Sequence, residues 1–222
     1  MVALVVLWRF RYKLSLRDVA EMFLQRGLVF THEAVRGWEV QLAPLLSEAL
    51  RKQCHRQVGT SWSVDETYIR VQGQWRYLYR AIDRGGRLVD VRLSDTQDLT
   101  AAEAFFRSAW TVTGMVLDRI TTDGCDAYPR AIRTVFGDHV THRTNRYLNN
   151  HLEQDHRGIK QRYRPTYGLK TVASTVRFCR AFDEIRAFLR PQSHRNQYLT
   201  LARRGDIHRA RFAHLLELMA AA

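Results

Sequence analysis

Apolar residues recur every three or four positions over the first fifty residues of the chain and every second position from Ser61 onward, so two kinds of structure follow one another. In "SLRDVAEMFLQRG", Leu16, Val19, Ala20, Phe23 and Leu24 fall on one helical face, with Ser15 placed to cap the start and Gly27 to stop the end. After "LVF", Thr31 opens a second helix, "HEAVRGWEVQL", predicted to run to about Pro44. Two helices joined by a Gly-containing turn resemble a helix-turn-helix, which would face His32, Glu33 and Arg36 toward a DNA major groove; an ordinary helical hairpin has the same spacing. Gly37, inside the second helix, costs about 1 kcal/mol and removes one possible contact. The opening "MVALVVLW" is apolar, but it has no basic segment before it and no small-residue cleavage site after it, and it is too short to span a bilayer. It reads as a buried helix.

"CHRQVGT", residues 54–60, reads as a linker, and the period then changes. "SWSVDETYIRV", "QWRYLYRAID" and "RLVDVRLS" are separated by Gln72-Gly73 and Arg84-Gly85-Gly86, which predicts an antiparallel meander of three strands. "TAAEAFFRSAW" follows as a helix, with Thr100 and Glu103 spaced as a capping box. "DRITTD" reads as a short strand, "DAYPRAIRTVF" as a helix and "DHVTH" as a strand. "NNHLEQDHRGIKQRYR" reads as a helix with Leu148, Leu152, Ile159 and Tyr163 along its apolar stripe. Three antiparallel strands followed by alternating helices and strands is the order of a ribonuclease-H-like α/β fold with a mixed sheet. The predicted organisation is a helix-turn-helix domain over 1–53, a linker over 54–60, the α/β domain over 61–190 and a basic helical tail over 191–222.

Charge narrows the partner. Thirty-five Lys and Arg against twenty-two Asp and Glu leave a net charge of +13, and nine of those charges lie in residues 155–222, where 14 basic residues face 5 acidic ones. Such a field draws polyanions and points to nucleic acid. The three cysteines, Cys54, Cys125 and Cys179, form no paired motif and indicate neither a disulfide framework nor a zinc site.

Against this basic background Asp65 and Glu66 stand side by side in the first strand. Successive strand residues point to opposite faces, so only one of the two is expected in any one cleft. The other would lie on the face of Trp62, Val64 and Tyr68 and would need a partner there. The period does not choose between them. Taken singly, Asp65 has an alternative as a strand-end carboxylate, Asp123 as a turn-former before Gly124, and Glu153 as a helix-surface partner of Arg157. Turn chemistry or helix capping accounts for Asp83, Asp118, Asp126 and Asp155.

Three blocks decide further. "WSVDETYIRVQGQWRYLYRAIDRGGRLVDVRLS", "TTDGCDAYPRAI" and "YLNNHLEQDHRGIKQRYRPTYGLKT" resemble, in unbroken order, the signature blocks of bacterial insertion-sequence transposases of the sixth insertion-sequence family. The resemblance runs over about residues 15–190 and implies a DDE triad on a ribonuclease-H-like domain, with Asp65, Asp123 and Glu153 as the catalytic, metal-holding carboxylates. Oxygen-only ligands favour magnesium or manganese, two ions being expected. Three converging carboxylates repel one another without a cation, which argues for chemistry over structure. His156, Arg157 and Lys160 lie 3, 4 and 7 residues after Glu153 and share its helix face. Similar enzymes carry a basic residue seven positions on, which makes Lys160 the expected phosphate contact; His156, Arg157 and Arg164 join it as expected DNA-binding residues, along with His32 and Arg36.

The chain departs from the family pattern twice. Only 29 residues separate Asp123 from Glu153, a shorter gap than the family usually has, and the start falls within what looks like the first helix of the family's DNA-binding region. Weakened terminal-repeat binding, or a start lying upstream, is the expectation there. The resemblance implies a cytoplasmic, nucleoid-associated enzyme with no membrane association. It would act on terminal inverted repeats and target DNA as a homodimer or larger assembly. The competing readings are a non-catalytic DNA-binding relative that regulates element ends, and a metal nuclease that cuts without joining.

Overall fold

A computed structural model describes residues 1–54, 58–145, 150–163, 168–190 and 199–220. The chain divides into two compact units, one of residues 1–53 with 177–222 and the other of residues 54–176.

The first unit is helical. Helix α1 (Val2–Arg11) buries Val5, Val6, Leu7 and Phe10. Helix α2 (Leu16–Leu24) begins with a capping box in which Ser15 accepts from the Asp18 N–H and Asp18 accepts from the Ser15 N–H, satisfying two donors that a helix start leaves open. Residues 25–31 turn the chain, Gly27 taking a φ of +76°. Helix α3 (His32–Cys54) runs ten residues past the expected end, straight through Pro44. An internal proline costs about 3 kcal/mol, and the burial of Ala43, Leu46 and Leu50 around and beyond it offsets that cost.

Helix α7 (Val172–Leu189) crosses the unit boundary at residue 177, and α8 (Leu201–Ala220) lies in the helical unit. This unit boundary falls fourteen residues before the start of the basic tail expected at 191. The reason is packing: Phe178 stacks near Phe10 at 5.4 Å between ring centroids, and α8 touches α1. Arg9 is buried beside Phe178, where it ion-pairs with Glu39 at 3.3 Å and donates to the Leu14 carbonyl at 2.9 Å. Among the described residues no helix is long and apolar enough to cross a membrane.

The second unit carries the sheet. Strands β1 (Ser61–Val71), β2 (Gln74–Asp83) and β3 (Leu88–Ser94) form the expected meander. Gln72 and Gly73 both take positive φ, 52° and 79°, as a two-residue primed hairpin turn requires. Helix α4 (Leu99–Thr113) follows, capped by Asp98, whose carboxylate accepts from the Ala101 N–H, and not by Thr100 as the sequence spacing suggested. Asp98 has the extended backbone a cap needs, while Thr100 already lies inside the helix. Strand β4 (Arg119–Thr122), helix α5 (Ala127–Phe136) and strand β5 (Thr141–Thr144) complete the expected order before helix α6 (Asn150–Tyr163).

The sheet order is β3-β2-β1-β4-β5, with β4 and β5 parallel to β1, which is the mixed ribonuclease-H-like arrangement. Trp62, Val64, Tyr79, Phe105, Phe106 and Phe136 lie in one buried cluster between the sheet and α4 and α5. On the opposite face α6 packs against β1, with Leu152 and Ile159 buried. Leu148 and the side chain of Tyr163, the other two residues of that stripe, lie outside the described residues.

Asp83 closes the β2–β3 turn. Its carboxylate, itself buried, accepts from the Gly59 N–H at 3.0 Å and the Arg87 N–H at 2.8 Å. Asp83→Ala leaves both amides without their acceptor, and we expect a loss of about 1.5–3 kcal/mol in denaturant unfolding. A loss under about 0.5 kcal/mol would show that water replaces the carboxylate.

Candidate active site

The site is set by one register. Ser63 of β1 pairs with Thr121 of β4, so two residues further on Asp65 and Asp123 come level as β4 ends. Gly124 turns the chain there at φ +111°, and a Cβ on it would meet Thr144 Cγ2 of β5 at 3.0 Å, so only glycine fits both the angle and the space. Among the described residues no strand pairs with that edge of β1 past this point until Val71 bridges Leu169, and the edge is open where the acids stand.

Asp65 faces α6. It is 9% exposed, its Oδ1 accepts from the Glu66 N–H at 2.9 Å, and its Oδ2 lies 3.7 Å from His156 Nδ1. Arg80, also buried, is its cross-strand partner on β2. Glu66 takes the other face, as strand alternation requires, beneath α5 and the segment leading into α4. There the Tyr128 hydroxyl donates to one carboxylate oxygen and the Gln97 amide to the other. Thus the partner that the second acid needs is supplied by a phenol and an amide.

Alternation does not keep the two acids apart. One carboxylate oxygen each from Asp65, Glu66 and Asp123 lies within 4.8 Å of the other two. A glutamate has enough reach to bring its carboxylate round an open strand edge, and no neighbouring strand blocks it here. Strand alternation predicts only one of the two acids in the cleft because periodicity speaks only of where a side chain leaves the backbone. The signal that would have found Glu66 is the length of the side chain beside a strand that ends early.

Burial raises the Glu66 carboxyl above its ordinary value; the Tyr128 hydrogen bond pulls it back and the Asp123 charge adds to the rise. Burial, and then the Glu66 charge, push the Tyr128 hydroxyl well above its usual range, so it stays a donor. A half-buried set of three oxygen donors that repel one another fits a hard divalent cation of the magnesium or manganese kind.

Among the residues expected on α6, His156 is 6% exposed and packed over Asp65, so its ring meets the carboxylate. Burial, helped by the Arg80 and Lys160 charges, pulls its pKa down to about 2, and the ring is neutral. Arg157 is exposed and Lys160 half-exposed. Glu153 lies in α6 one turn before His156, but its side chain is outside the described residues, as is Arg164 altogether. In the helical unit, His32 and Arg36 sit in the first turns of α3 and both contact the Glu33 carboxylate, at 3.3 and 3.4 Å.

A family model described as a DDE domain matches residues 59–192. The chain is 35% identical over 170 residues, 75% of its own length and 75% of the relative's, to the transposase for the insertion sequence-like element IS431mec of Staphylococcus aureus. It shows the same identity and coverage with the transposase for insertion sequence element IS257 in transposon Tn4003 of the same species. Among solved structures, the HTLV-2 integrase catalytic core domain in complex with magnesium aligns with a TM-score of 0.43 and 13% identity, over 68% of this chain and 98% of that one.

Proposed function

The chain belongs to the DDE transposases of insertion sequences, and from that membership we propose that its sheet unit cuts DNA at the ends of a mobile element and joins the freed 3′-ends to target DNA, using Asp65, Asp123 and Glu153. The observation that carries the reading is the meeting of Asp65 and Asp123 at the open edge of β1, inside the matched domain. In the first step water attacks the phosphodiester at the element end and releases a 3′-hydroxyl. In the second that hydroxyl attacks a target phosphodiester, forming one phosphodiester bond as another breaks and leaving a new 3′-hydroxyl on the target.

Asp65 and Asp123 would hold the divalent cation, magnesium or manganese, with Glu153 of α6 joining them. Bound there, such ions supply Lewis-acid stabilisation of the charge that develops on the attacked phosphate. The protein's own groups prepare the place. His156, neutral and buried, stands beside Asp65 Oδ2 and fixes how close α6 comes to β1. Tyr128 and Gln97 hold the Glu66 carboxylate beside the pair and leave it little freedom to turn.

Lys160 contacts a DNA phosphate near the cleavage point, and Arg157, on the same exposed stretch of α6, contacts the flanking backbone. Lys160→Ala is expected to weaken DNA binding and to flatten the dependence of affinity on salt by about one phosphate contact, a change of roughly 0.9 in the log–log slope. An unchanged slope, measured by anisotropy over a salt series, would return Lys160 to a solvated helix face. The helical unit, through the start of α3 with His32 and Arg36, engages the terminal repeats, and two element ends are brought together by two or more copies of the chain in the cytoplasm.

One assay separates this reading from its rivals: an oligonucleotide duplex ending in the element's terminal repeat, labelled at the 3′-end strand, incubated with magnesium. Nicked and joined products support the transposase. Nicking without joining would make it a nuclease, and binding without either product a regulator of element ends.

A further inference from the structure

The β1–β2 hairpin carries a row of side chains that neither the acidic cluster nor the core explains. Directly opposed residues of an antiparallel pair share a face, and so do residues two apart along a strand. Glu66 opposes Tyr79, Tyr68 opposes Tyr77 and Arg70 opposes Trp75, so these three pairs line one face in sequence. The first pair lies under the helices. Beyond it the face opens: Tyr68 is 48% exposed and Trp75 61% exposed.

The row is joined to the site. Tyr68 leans on Tyr77 with ring centroids 4.8 Å apart, and its hydroxyl donates to Gln97 Oε1 at 3.3 Å, the same Gln97 whose amide holds Glu66. Arg70, the cross-strand partner of Trp75, is exposed, and its Nε donates to the Gly73 carbonyl at 2.8 Å, which steadies the guanidinium at the turn. From Glu66 to Arg70 the strand advances about 13 Å, the length of about four stacked bases.

We propose that this face, formed by Tyr68, Arg70 and Trp75, is a stacking platform for unpaired DNA bases next to the cleavage point. Exposed aromatic planes beside an exposed arginine suit a nucleic-acid single strand, whose bases stack on the rings while its phosphates meet the arginine. A protein partner would be expected to meet a wider apolar patch; here the rings are a narrow file that ends at the carboxylates. A surface that captures released bases favours opening of the duplex at the end that is cut. This inference rests on the transposase reading.

The test measures binding of a labelled twelve-nucleotide oligo-dT to the full chain without divalent ions, beside a blunt twelve-base-pair duplex. Trp75→Ala should weaken oligo-dT binding about fivefold or more, the lower end of what one base stacked on an aromatic ring contributes, and leave duplex binding unchanged. Trp75→Phe should keep most of the affinity. Trp75→Lys should bind oligo-dT less well than the native chain despite its added charge. Arg70→Ala should reduce the salt slope for oligo-dT by about 0.7.

Oligo-dT binding unchanged in Trp75→Ala, or strengthened in Trp75→Lys, would overturn the platform. A change in self-association on sedimentation, with oligo-dT affinity unchanged, would overturn it in favour of an interface between copies. The same proteins run in the magnesium assay separate the two levels. Cutting and joining by the native chain alongside indifference to Trp75 removes the platform alone; loss that depends on Trp75 in a chain that never cuts removes the transposase reading alone.

Discussion

Asp123→Asn will leave the protein folded and able to bind DNA while reducing strand cleavage and joining by a thousandfold or more, roughly 4 kcal/mol at 1.36 kcal/mol per factor of ten. The asymmetry comes from where Asp123 sits. It is exposed, just past the end of β4, and among the described residues its one hydrogen bond within the turn is long, 3.4 Å from the Cys125 N–H, so the fold loses little when its charge goes. Its charge adds to the rise in the Glu66 carboxyl, which shows that the two repel across the cluster. Neutralising it therefore holds or slightly raises the melting temperature in the absence of divalent ions, and it lowers the stabilisation gained when manganese is added. Single-turnover cleavage and melting with and without manganese read the two effects separately. Full cleavage by Asp123→Asn would remove it from the machinery, and a large drop in metal-free stability would make it a structural carboxylate.

Phe106→Ala will cost about 3–5 kcal/mol, a large part of what a domain of this size has to lose. Phe106 is fully buried at the centre of the layer between α4, α5 and the sheet, with ring centroids 5.6 Å from Phe105, 5.9 Å from Tyr128 and 5.7 Å from Phe136. Helices on a sheet repack poorly around a missing ring, because the sheet backbone cannot move in to fill the space. Amide exchange along β1 and β2 should speed accordingly, since those strands sit over the cavity. The damage also reaches the site, because Tyr128 both touches Phe106 and holds Glu66. A loss under about 1.5 kcal/mol would mean that the layer collapses onto the gap.

The parts of the fold that were legible in the sequence are those that short-range physics decides. A period of two, broken by Gln72-Gly73 and by Arg84-Gly85-Gly86, was enough for the three-stranded meander, because a turn that needs positive φ admits few residues. The alternating helices and strands after Ser94 were legible for the same reason, and so was the candidate pair Asp65 and Asp123 once the three blocks were seen in order. Errors fell where a local rule met a tertiary one. Pro44 did not stop α3, because buried leucines beyond it outweighed one lost hydrogen bond. Thr100 had the spacing of a cap, but the chain turned into the helix two residues earlier, at Asp98.

The sequence by itself determined the order of the elements as far as α6, though not α7 over Val172–Leu189, and that acids would stand near the middle of a strand and at the end of another in a basic chain. Only the tertiary structure decided that Glu66 joins Asp65 and Asp123, that His156 is a buried neighbour of Asp65, and that residues 177–222 pack with the first fifty-three. The reason is range. Strand period and turn chemistry act over a few residues, whereas these three outcomes depend on β1 meeting β4 across almost sixty residues, on α6 packing onto β1, and on Phe178 finding Phe10 from the far end of the chain. Contacts at such separations are chosen by burial and register together, and no local pattern encodes them.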